Sequence, residues 1–242
     1  MKNLFAAMRF ITVLPVGKSE YFDAVGMVRW FPVVGLLIGC ALSTFDHAIA
    51  RIWSPPAAAV LDVVFLAVMT GAFHIDGLAD TADGLFSHRS RERMLEIMKD
   101  SRIGAMGVVA VVSVLALKWV GISGISAQRA AWLVLVPGYS RSAMLLGMAM
   151  LEYGRPEGGT GHPFFARKLR WRDFGGAVVT VLFSFALGGS FLLINAGFLV
   201  ITAALIAYYR RRLGCVTGDM LGAMAEVNEA LLFLLAAAGG GR

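Results

Sequence analysis

The sequence predicts an all-α, polytopic integral membrane protein with about seven transmembrane helices and one amphipathic helix on its cytoplasmic face. Hydrophobic residues make up 58% of the 242 residues, charged residues make up only 16%, and the mean hydropathy is +0.72. Soluble domains carry about 25% charged residues, so this deficit indicates that lipid surrounds much of the surface. Apolar runs of membrane-spanning length recur along the chain, and most basic residues lie between them on one side.

Seven apolar runs are candidates for membrane spans. They cover residues 31–50, 57–73, 105–125, 131–151, 175–193, 196–209 and 221–238. The sixth run is short for a bilayer and is also consistent with a hairpin that turns at Asn195 and Gly197. The seventh carries Glu226 and Glu229 near its start, and if either run is not a span the C-terminus changes sides. We find no internal repeat and no long linker, so residues 1–242 are expected to form one domain.

The distribution of basic residues orients these spans. With a cytoplasmic N-terminus, 17 of the 22 Lys and Arg residues fall in inner segments and three in outer segments, while Lys118 and Arg141 lie within spans. This is a strong positive-inside bias. The pI of 9.7 therefore reflects topology and does not indicate binding to nucleic acid. We expect a multi-pass protein of the cell inner membrane, without a cleaved signal peptide.

Three aspartates follow the second span within the stretch from His74 to Gly84. On a helix, Asp76, Asp80 and Asp83 fall within a stripe about 60° wide. Like charges this close repel one another unless a proton or a cation neutralises them, and all-oxygen ligand sets favour Mg²⁺, Mn²⁺ or Ca²⁺. A solvated acidic face on a surface helix is the simpler alternative. We favour a metal-binding role because the stripe directly follows an apolar run of membrane-spanning length.

A second acidic pair lies at the start of the last span. Asp219 and Glu226 are seven residues apart and therefore return to the same face of a helix. Because both acidic stripes begin on the same side of the membrane, Asp219 and Glu226 are expected to complete the metal site of the first stripe. Thr217 or Asp219 is also suited to cap the final helix.

Candidate substrate-binding residues flank the acids. Residues 90–100 have an apolar and a charged side, as in an amphipathic helix that lies on the inner leaflet. The start of the third span combines cations, a hydroxyl group and glycines, which suit phosphate oxygens. The candidates there are Lys99, Asp100, Ser101 and Arg102. Arg141, inside the fourth span, either pairs with an acid or lines a polar cavity.

Two further features have both a functional and a structural interpretation. His74 is suited to act as an acid, a base or a ligand, although a histidine at a membrane interface is more often a hydrogen-bonded structural residue. The loop 154–172 is rich in glycine and then aromatic. It is able to close over a ligand, but ordinary loops that join spans have the same composition.

Together these features indicate transfer of a phosphate-bearing group at the membrane. Aspartates with a divalent metal would neutralise a pyrophosphate, activate an attacking hydroxyl group and stabilise the leaving phosphate. We expect catalytic roles for Asp76, Asp80, Asp83 and His74, with an aspartate favoured as the base. A transporter of metal ions or small anions is a competing class. Its acids would be distributed across the bilayer, whereas these acids gather near one face.

Three motifs in the first half of the chain form a long pattern. They are Phe-His-Ile-Asp-Gly-Leu-Ala-Asp-Thr-Ala-Asp-Gly at 73–84, Arg-Glu-Arg at 91–93 and Met-Lys-Asp-Ser-Arg-Ile-Gly-Ala-Met-Gly at 98–107. This pattern closely resembles the signature of the cobalamin synthase (adenosylcobinamide-GDP ribazoletransferase) family. Residues 9–15, 31–35 and 217–219 also look like that family, which adds Thr217 to the substrate-binding candidates. Residues 87–88 and most of 152–172 match nothing in the family pattern.

The resemblance implies an Mg²⁺-dependent enzyme that completes the nucleotide loop of vitamin B12. A hydroxyl group of α-ribazole, or of α-ribazole 5′-phosphate, would attack the corrinoid-linked phosphorus of adenosylcobinamide-GDP and release GMP. The product would be adenosylcobalamin or its 5′-phosphate. Membrane lipid is an expected partner, nucleic acid is not, and a homo-oligomer is compatible with the sequence.

The spacing of the aspartates is also similar, more loosely, to that of CDP-alcohol phosphotransferases. A lipid synthase of that kind, which would release CMP from a CDP-activated lipid, is therefore the alternative enzyme.

Overall fold

A computed structural model describes residues 1–17, 22–155, 158–159 and 161–239; Lys18 and part of the loop 154–172 lie outside these ranges. Within this part the chain forms eleven α-helices. They are α1 (Lys2–Ile11), α2 (Ala24–Val28), α3 (Phe31–Ile49), α4 (Pro55–Met69), α5 (Phe73–Leu85), α6 (Arg91–Ile97), α7 (Ala105–Gly124), α8 (Arg129–Met150), α9 (Gly175–Phe183), α10 (Phe191–Arg212) and α11 (Gly218–Gly239). Short 3₁₀ helices occupy His162–Phe165, Trp171–Phe174 and Ser184–Ser190. Two-residue strands, β1 (Glu152–Tyr153) and β2 (Cys215–Val216), pair in parallel.

Five helical segments of the described chain are long and apolar enough to cross a membrane. They are α3, α7, α8, the continuous run Trp171–Arg212 and α11. Helices α4 and α5 pass the same test together, but a break between them bends the pair by 89°. Apolar side chains such as Val109, Leu192 and Val200 are 60–73% exposed on the outside of the bundle, which suits contact with lipid. The prediction of an all-α membrane protein is confirmed, with five or six such segments where the sequence indicated about seven.

The run Trp171–Arg212 counts as one of these segments by length and composition, whereas the sequence divided it into two spans. The run contains α9, a 3₁₀ helix and α10, and the backbone leaves the helical region at Gly188 (φ 52°, ψ −120°). Glycine tolerates this conformation because it has no Cβ atom. The turn expected at Asn195 and Gly197 is wrong, since both residues lie inside α10.

Close packing of α3 against α8 sets the direction of these helices. A Cβ atom on Gly35 would overlap the carbonyl group of Pro137, and one on Gly39 would overlap that of Val134. Small residues four apart allow membrane helices to approach this closely. Gly35 contacts Pro137 and Gly39 contacts Val134, so successive contacts run forward along α3 and backward along α8. The two helices are therefore antiparallel.

Both ends of the run Trp171–Arg212 lie at the same end of the bundle. At its start, a Cβ atom on Gly176 would lie 2.5 Å from the carbonyl oxygen of Arg29, just before α3. At its end, Arg210 donates a hydrogen bond of 3.0 Å to the carbonyl of Met150, the last residue of α8. The start of α3 and the end of α8 share one end of the bundle, so the run folds back on itself at Gly188.

Helix α11 lies at the centre of the bundle. It packs against α5, α7, α8 and α10, so most of its side chains are buried, including Glu226 and Glu229. The sharp bend after α4 brings α5 to this position. Gly71 and Ala72 both adopt positive φ values, of 58° and 56°, and the chain turns there before α5 begins. The three aspartates therefore lie on a separate helix and not on a continuation of the second span.

The polar connections gather at the end of the bundle that holds the N-terminus. Arg91 donates to the carbonyl of Leu213 (2.7 Å), and Arg212 donates to the carbonyl of Leu85 (2.9 Å). These bonds join the segment after α5 to the segment before α11. The basic loops and the aspartates of α5 consequently share one end of the molecule.

Candidate active site

The crossing of α5 and α11 brings two sets of acids together. A Cβ atom on Gly77 would lie 2.8 Å from the carbonyl oxygen and 3.0 Å from the Cα atom of Asp219, so only glycine allows the two backbones to approach this closely. Asp76 comes directly before Gly77 in the chain, and Asp80 follows it by about one turn, so the two acids lie on either side of this contact. The carboxylates of Asp76 and Asp219 lie close enough to Asp80 to act on it electrostatically.

Among the described residues, Arg155 is the cation that contacts this carboxylate cluster, which we define as Asp76, Asp80 and Asp219. The guanidinium group of Arg155 forms an ion pair of 2.7 Å with Asp219 and donates to the carbonyl of Met98 (3.0 Å). With all three carboxylates ionised, the cluster and Arg155 together carry a net charge of −2. This imbalance is the charge that a divalent cation would neutralise.

The pairing of β1 with β2 positions Arg155. Gly154 donates a backbone hydrogen bond of 2.9 Å to Val216, which ties the loop after α8 to the start of α11. A side chain on Gly154 would meet the Sγ atom of Cys215 at 2.6 Å. Sequence reasoning missed Arg155. The sequence feature that could have indicated it is its position as a basic residue just after the fourth span, on the same predicted side of the membrane as both acidic stripes.

Asp83 makes contacts different from those of the other acids on α5. Its two carboxylate oxygens accept hydrogen bonds from the backbone N–H groups of Gly104 (2.6 Å) and Gly107 (2.8 Å). These groups belong to the start of α7, where N–H groups lack partners within the helix. Asp83 therefore anchors α7 to α5, and we do not count it among the free carboxylates of the cluster.

Glu226 does not join the carboxylate cluster, and its predicted role as a metal ligand is wrong. Seven residues return it to the face of Asp219, but they also carry it two turns, or about 10 Å, further along the helix. There it is 3% exposed and accepts a hydrogen bond of 2.7 Å from Lys118 of α7. Helical periodicity placed Glu226 on the correct face of α11. It did not account for the distance along the helix axis that separates Glu226 from Asp219.

The buried charge network around Lys118 also includes Glu229, Arg141 and Ser140. Lys118 contacts Glu229 at 2.6 Å, and Arg141 forms an ion pair with the same glutamate and a hydrogen bond of 2.7 Å to Ser140. Two cations and two carboxylates leave the network with no net charge. The predicted substrate-binding role of Arg141 is not supported, because its side chain is 1% exposed and paired. The alternative that an intramembrane arginine pairs with an acid is the one observed.

His74 lies beside the carboxylate cluster in an unusual environment. The side chain is fully buried, and neither ring nitrogen has a hydrogen-bond partner among the described residues. It lines a narrow slot that also includes Asp76, Asp219 and Phe164. The slot has a volume of about 40 Å³, enough for one or two water molecules and too small for a nucleoside. The hydrogen-bonded structural role considered for His74 is not observed.

The substrate-binding candidates that precede α7 have separate positions. Asp100 and Arg102 pair with each other at 2.6 Å, and this hydrogen bond lowers the pKa of Asp100 to about 2. Ser101 is exposed. Lys99 lines a cavity of about 650 Å³ that also includes Arg155. Of these four residues, only Lys99 lines a cavity that reaches the carboxylate cluster through Arg155.

Thr217 is fully buried and accepts a hydrogen bond of 3.3 Å from the backbone of Met220. It caps the N-terminus of α11, as the structural alternative predicted. Direct contact of Thr217 with a substrate is therefore not supported.

Comparison with known proteins identifies the family. The family model described as cobalamin-5-phosphate synthase matches residues 3–238. The chain belongs to the cobalamin-5-phosphate synthase family. The resemblance predicted from its motifs is confirmed.

Several relatives align along most of their length, and each is named adenosylcobinamide-GDP ribazoletransferase. One from Roseiflexus sp. (strain RS-1) is 39% identical over 92% of this chain and 84% of its own length. One from Alkaliphilus metalliredigens is 35% identical over 100% and 98%, and one from Thermoanaerobacter sp. (strain X514) is 36% identical over 95% and 94%. No solved structure matches the chain. The predicted transferase activity in cobalamin biosynthesis is confirmed, and the CDP-alcohol phosphotransferase alternative is not favoured.

The carboxylate cluster suits a hard divalent cation by its donor chemistry. Asp76, Asp80 and Asp219 offer only oxygen ligands, as Mg²⁺ prefers. Among the described residues, no three His, Cys, Asp or Glu side chains are already arranged around a common point. Arg155 pairs with Asp219 at this position and supplies one positive charge.

Proposed function

We propose that this protein transfers the adenosylcobinamide phosphate group of adenosylcobinamide-GDP to α-ribazole or α-ribazole 5′-phosphate, with Mg²⁺ held by Asp76, Asp80 and Asp219. The oxygen of an acceptor hydroxyl group forms a bond to the corrinoid-linked phosphorus. The phosphoanhydride bond to GMP breaks, and GMP leaves with the bonding electron pair. The single observation that carries the metal assignment is the net charge of −2 in the cluster, which contrasts with the neutral network around Lys118.

Bound Mg²⁺ would supply charge neutralisation for the pyrophosphate and would activate the attacking hydroxyl group. The chain itself supplies position and proton transfer. An aspartate of the cluster accepts the hydroxyl proton, and Asp80, on which the charges of both other acids act, is the best placed. The unpaired ring nitrogens of His74 are available for a hydrogen bond to a single hydroxyl group of the acceptor, because the adjoining slot has room for a water-sized group. Arg155 lies at the edge of the cluster, where a phosphate oxygen of the donor would bind.

The test is a reconstituted reaction. Purified protein is incubated with adenosylcobinamide-GDP, α-ribazole and Mg²⁺, and GMP and the finished cobamide are measured by chromatography. We expect GMP and cobamide to form in equal amounts, a chelator to stop the reaction and added Mg²⁺ to restore it. Parallel assays with α-ribazole 5′-phosphate define the preferred acceptor. Release of CMP from a CDP-activated lipid, without GMP from the corrinoid donor, would contradict the proposal.

We also propose that the carboxylate cluster faces the cytoplasm, in the cell inner membrane. The positive-inside bias supports this orientation, since the basic loops and the cluster share one end of the bundle. In a Cys40→Ala background, a cysteine introduced at Arg93 should react with a membrane-impermeant maleimide in inverted vesicles and not in intact spheroplasts. The opposite pattern would reverse the orientation. Contact with lipid along the exposed apolar faces and assembly as a homo-oligomer stay predictions.

A further inference from the structure

A cavity of small-molecule size lies outside the carboxylate cluster, among the described residues. It has a volume of about 650 Å³ and lies between α6 and the loop after β1. This volume falls within the range of about 300–1,000 Å³ that is typical of small-molecule sites, whereas the slot beside His74 holds only water-sized groups. Its lining residues are Glu92, Leu95, Glu96, Lys99, Gly154, Arg155, Gly158 and Gly159. Arg155 connects this cavity to the site, because it lines the cavity and contacts Asp219.

Two cations line this cavity and suit phosphate groups. Arg155 presents a planar guanidinium group, and Lys99 presents a mobile ammonium group on the other wall. A phosphate group between them would lie next to the carboxylate cluster, where the proposed transfer occurs. A second cavity, of about 530 Å³, includes Arg167, but the ion pair of that arginine is with Asp173 and not with an acid of the cluster. The cavity between α6 and the loop is therefore the better phosphate site.

The wall of the same cavity also carries carboxylates, and an unpaired carboxylate suits a base with two adjacent donors. Glu92 and Glu96 are one turn apart on α6, and Glu96 is paired with Arg93 at 2.7 Å. In the described part of the chain, the Glu92 carboxylate has no ion pair or hydrogen bond, and its two oxygens are available as acceptors. The Watson–Crick edge of guanine offers neighbouring N1–H and N2–H₂ donors, whereas adenine and cytosine each pair a donor with an acceptor. Leu95, beside Glu92, adds apolar surface for the ring.

We infer that this cavity is the guanine-nucleotide subsite of the donor. Glu92 accepts hydrogen bonds from the guanine edge, and Lys99 and Arg155 bind the phosphates. Seven residues separate Glu92 from Lys99, about 10 Å along the helical chain, which suits an extended nucleotide. This inference rests on the proposed function, because a GDP-linked donor is what that function requires.

Direct binding tests this assignment without turnover. Full-length protein in detergent with Mg²⁺ is titrated with GDP and with IDP, which lacks the 2-amino group. Wild-type protein should bind GDP about tenfold or more tightly than IDP, because IDP leaves one carboxylate oxygen without its donor. Glu92→Gln should reduce this ratio to about twofold, because its amide group replaces one acceptor with a donor. Lys99→Ala should weaken both ligands about equally and preserve the ratio.

The matched control is Glu96→Gln, one turn away on the same wall and already paired with Arg93. It should keep the wild-type ratio of GDP to IDP binding. An unchanged ratio in Glu92→Gln, together with GMP release by the wild type, would overturn the subsite and leave the proposed function intact. A wild type that neither binds GDP nor releases GMP would overturn both. Glu92 is exposed, so its substitution tests binding without removing a core contact.

Discussion

Helix α11 carries two groups of acids that differ in how their charge is balanced. Near its middle, Glu226 and Glu229 are buried and paired with two cations, so the network has no net charge. At its start, Asp219 joins Asp76 and Asp80, and Arg155 is the one cation that contacts Asp219 in the described chain. Acidic residues near a membrane therefore do not by themselves identify a metal site. What identifies a candidate site is an excess of carboxylates that protein cations leave unbalanced.

The far end of the bundle holds a third group of acids. Asp46 and Asp62 both contact Arg129, at 2.6 Å and 3.2 Å. The acids therefore occur in three layers. Asp46 and Asp62 exceed their one cation by one negative charge, whereas Asp76, Asp80 and Asp219 exceed Arg155 by two. A transporter would be expected to carry accessible acids along its whole path, whereas the acids of the other two layers are buried and paired with cations.

The largest expected effect comes from removing a carboxylate of the unbalanced cluster. Asp80→Asn or Asp76→Asn should lower GMP release about 10³-fold or more, equivalent to about 4 kcal/mol of barrier, because a ligand and charge for Mg²⁺ are lost. Turnover is measured in the reconstituted assay, and thermal unfolding in detergent should be unchanged or improved. Glu152→Gln, an exposed carboxylate at the same end, serves as the control and should keep normal turnover. Near-normal turnover in both aspartate variants would remove the metal assignment.

The balanced network should respond through stability. Lys118→Met leaves two buried glutamates with only Arg141, and breaking a buried ion pair in this way costs about 3–5 kcal/mol. The measurement is thermal unfolding in detergent. Adding Glu226→Gln to Lys118→Met restores neutrality and should recover much of the lost stability. If the single variant unfolds like the wild type but loses turnover, the network takes part in the reaction and the contrast between the two groups fails.

The helix crossing at Gly77 offers a smaller perturbation of the cluster. Gly77→Ala places a methyl group 2.8 Å from the carbonyl oxygen of Asp219, so α5 and α11 must separate slightly. Because misplacement of reacting groups by about 1 Å costs about 10²-fold, we expect turnover to fall roughly tenfold. Gly175→Ala is the control, since its new Cβ atom would have no neighbour within 4 Å. Equal turnover in the two alanine variants would show that the approach of α5 to α11 does not position the acids.

The smallest effect on turnover is expected at Asp83. Asp83→Asn keeps one acceptor for the N–H groups of Gly104 and Gly107 and replaces the other with a donor. The free energy of unfolding should fall by about 1–3 kcal/mol, with turnover lowered less than tenfold. Both quantities are measured on the same preparation. If Asp83→Asn is as stable as the wild type but as inactive as Asp80→Asn, Asp83 is a metal ligand and the anchoring role is wrong.

The sequence predicted the membrane class, the family and the aspartates of α5, because hydropathy and local motif spacing are visible in the chain. It did not predict the bend between α4 and α5 or the turn at Gly188, because both depend on a few residues in conformations that apolar composition does not reveal. It assigned Glu226 to the site by helical periodicity. Periodicity gives a face of a helix but does not specify which neighbour the face meets at each turn.

Composition and motif spacing establish that lipid surrounds much of the protein and which family the chain belongs to, and they predict the side of the membrane on which the acids lie. Which carboxylates remain unbalanced depends on how the helices pack. Lys118 and Arg141 reach Glu226 and Glu229 from two other helices, and Arg155 reaches Asp219 through the pairing of β1 with β2. Charge balance depends on distances between residues remote in sequence, so it becomes visible only when the helices pack.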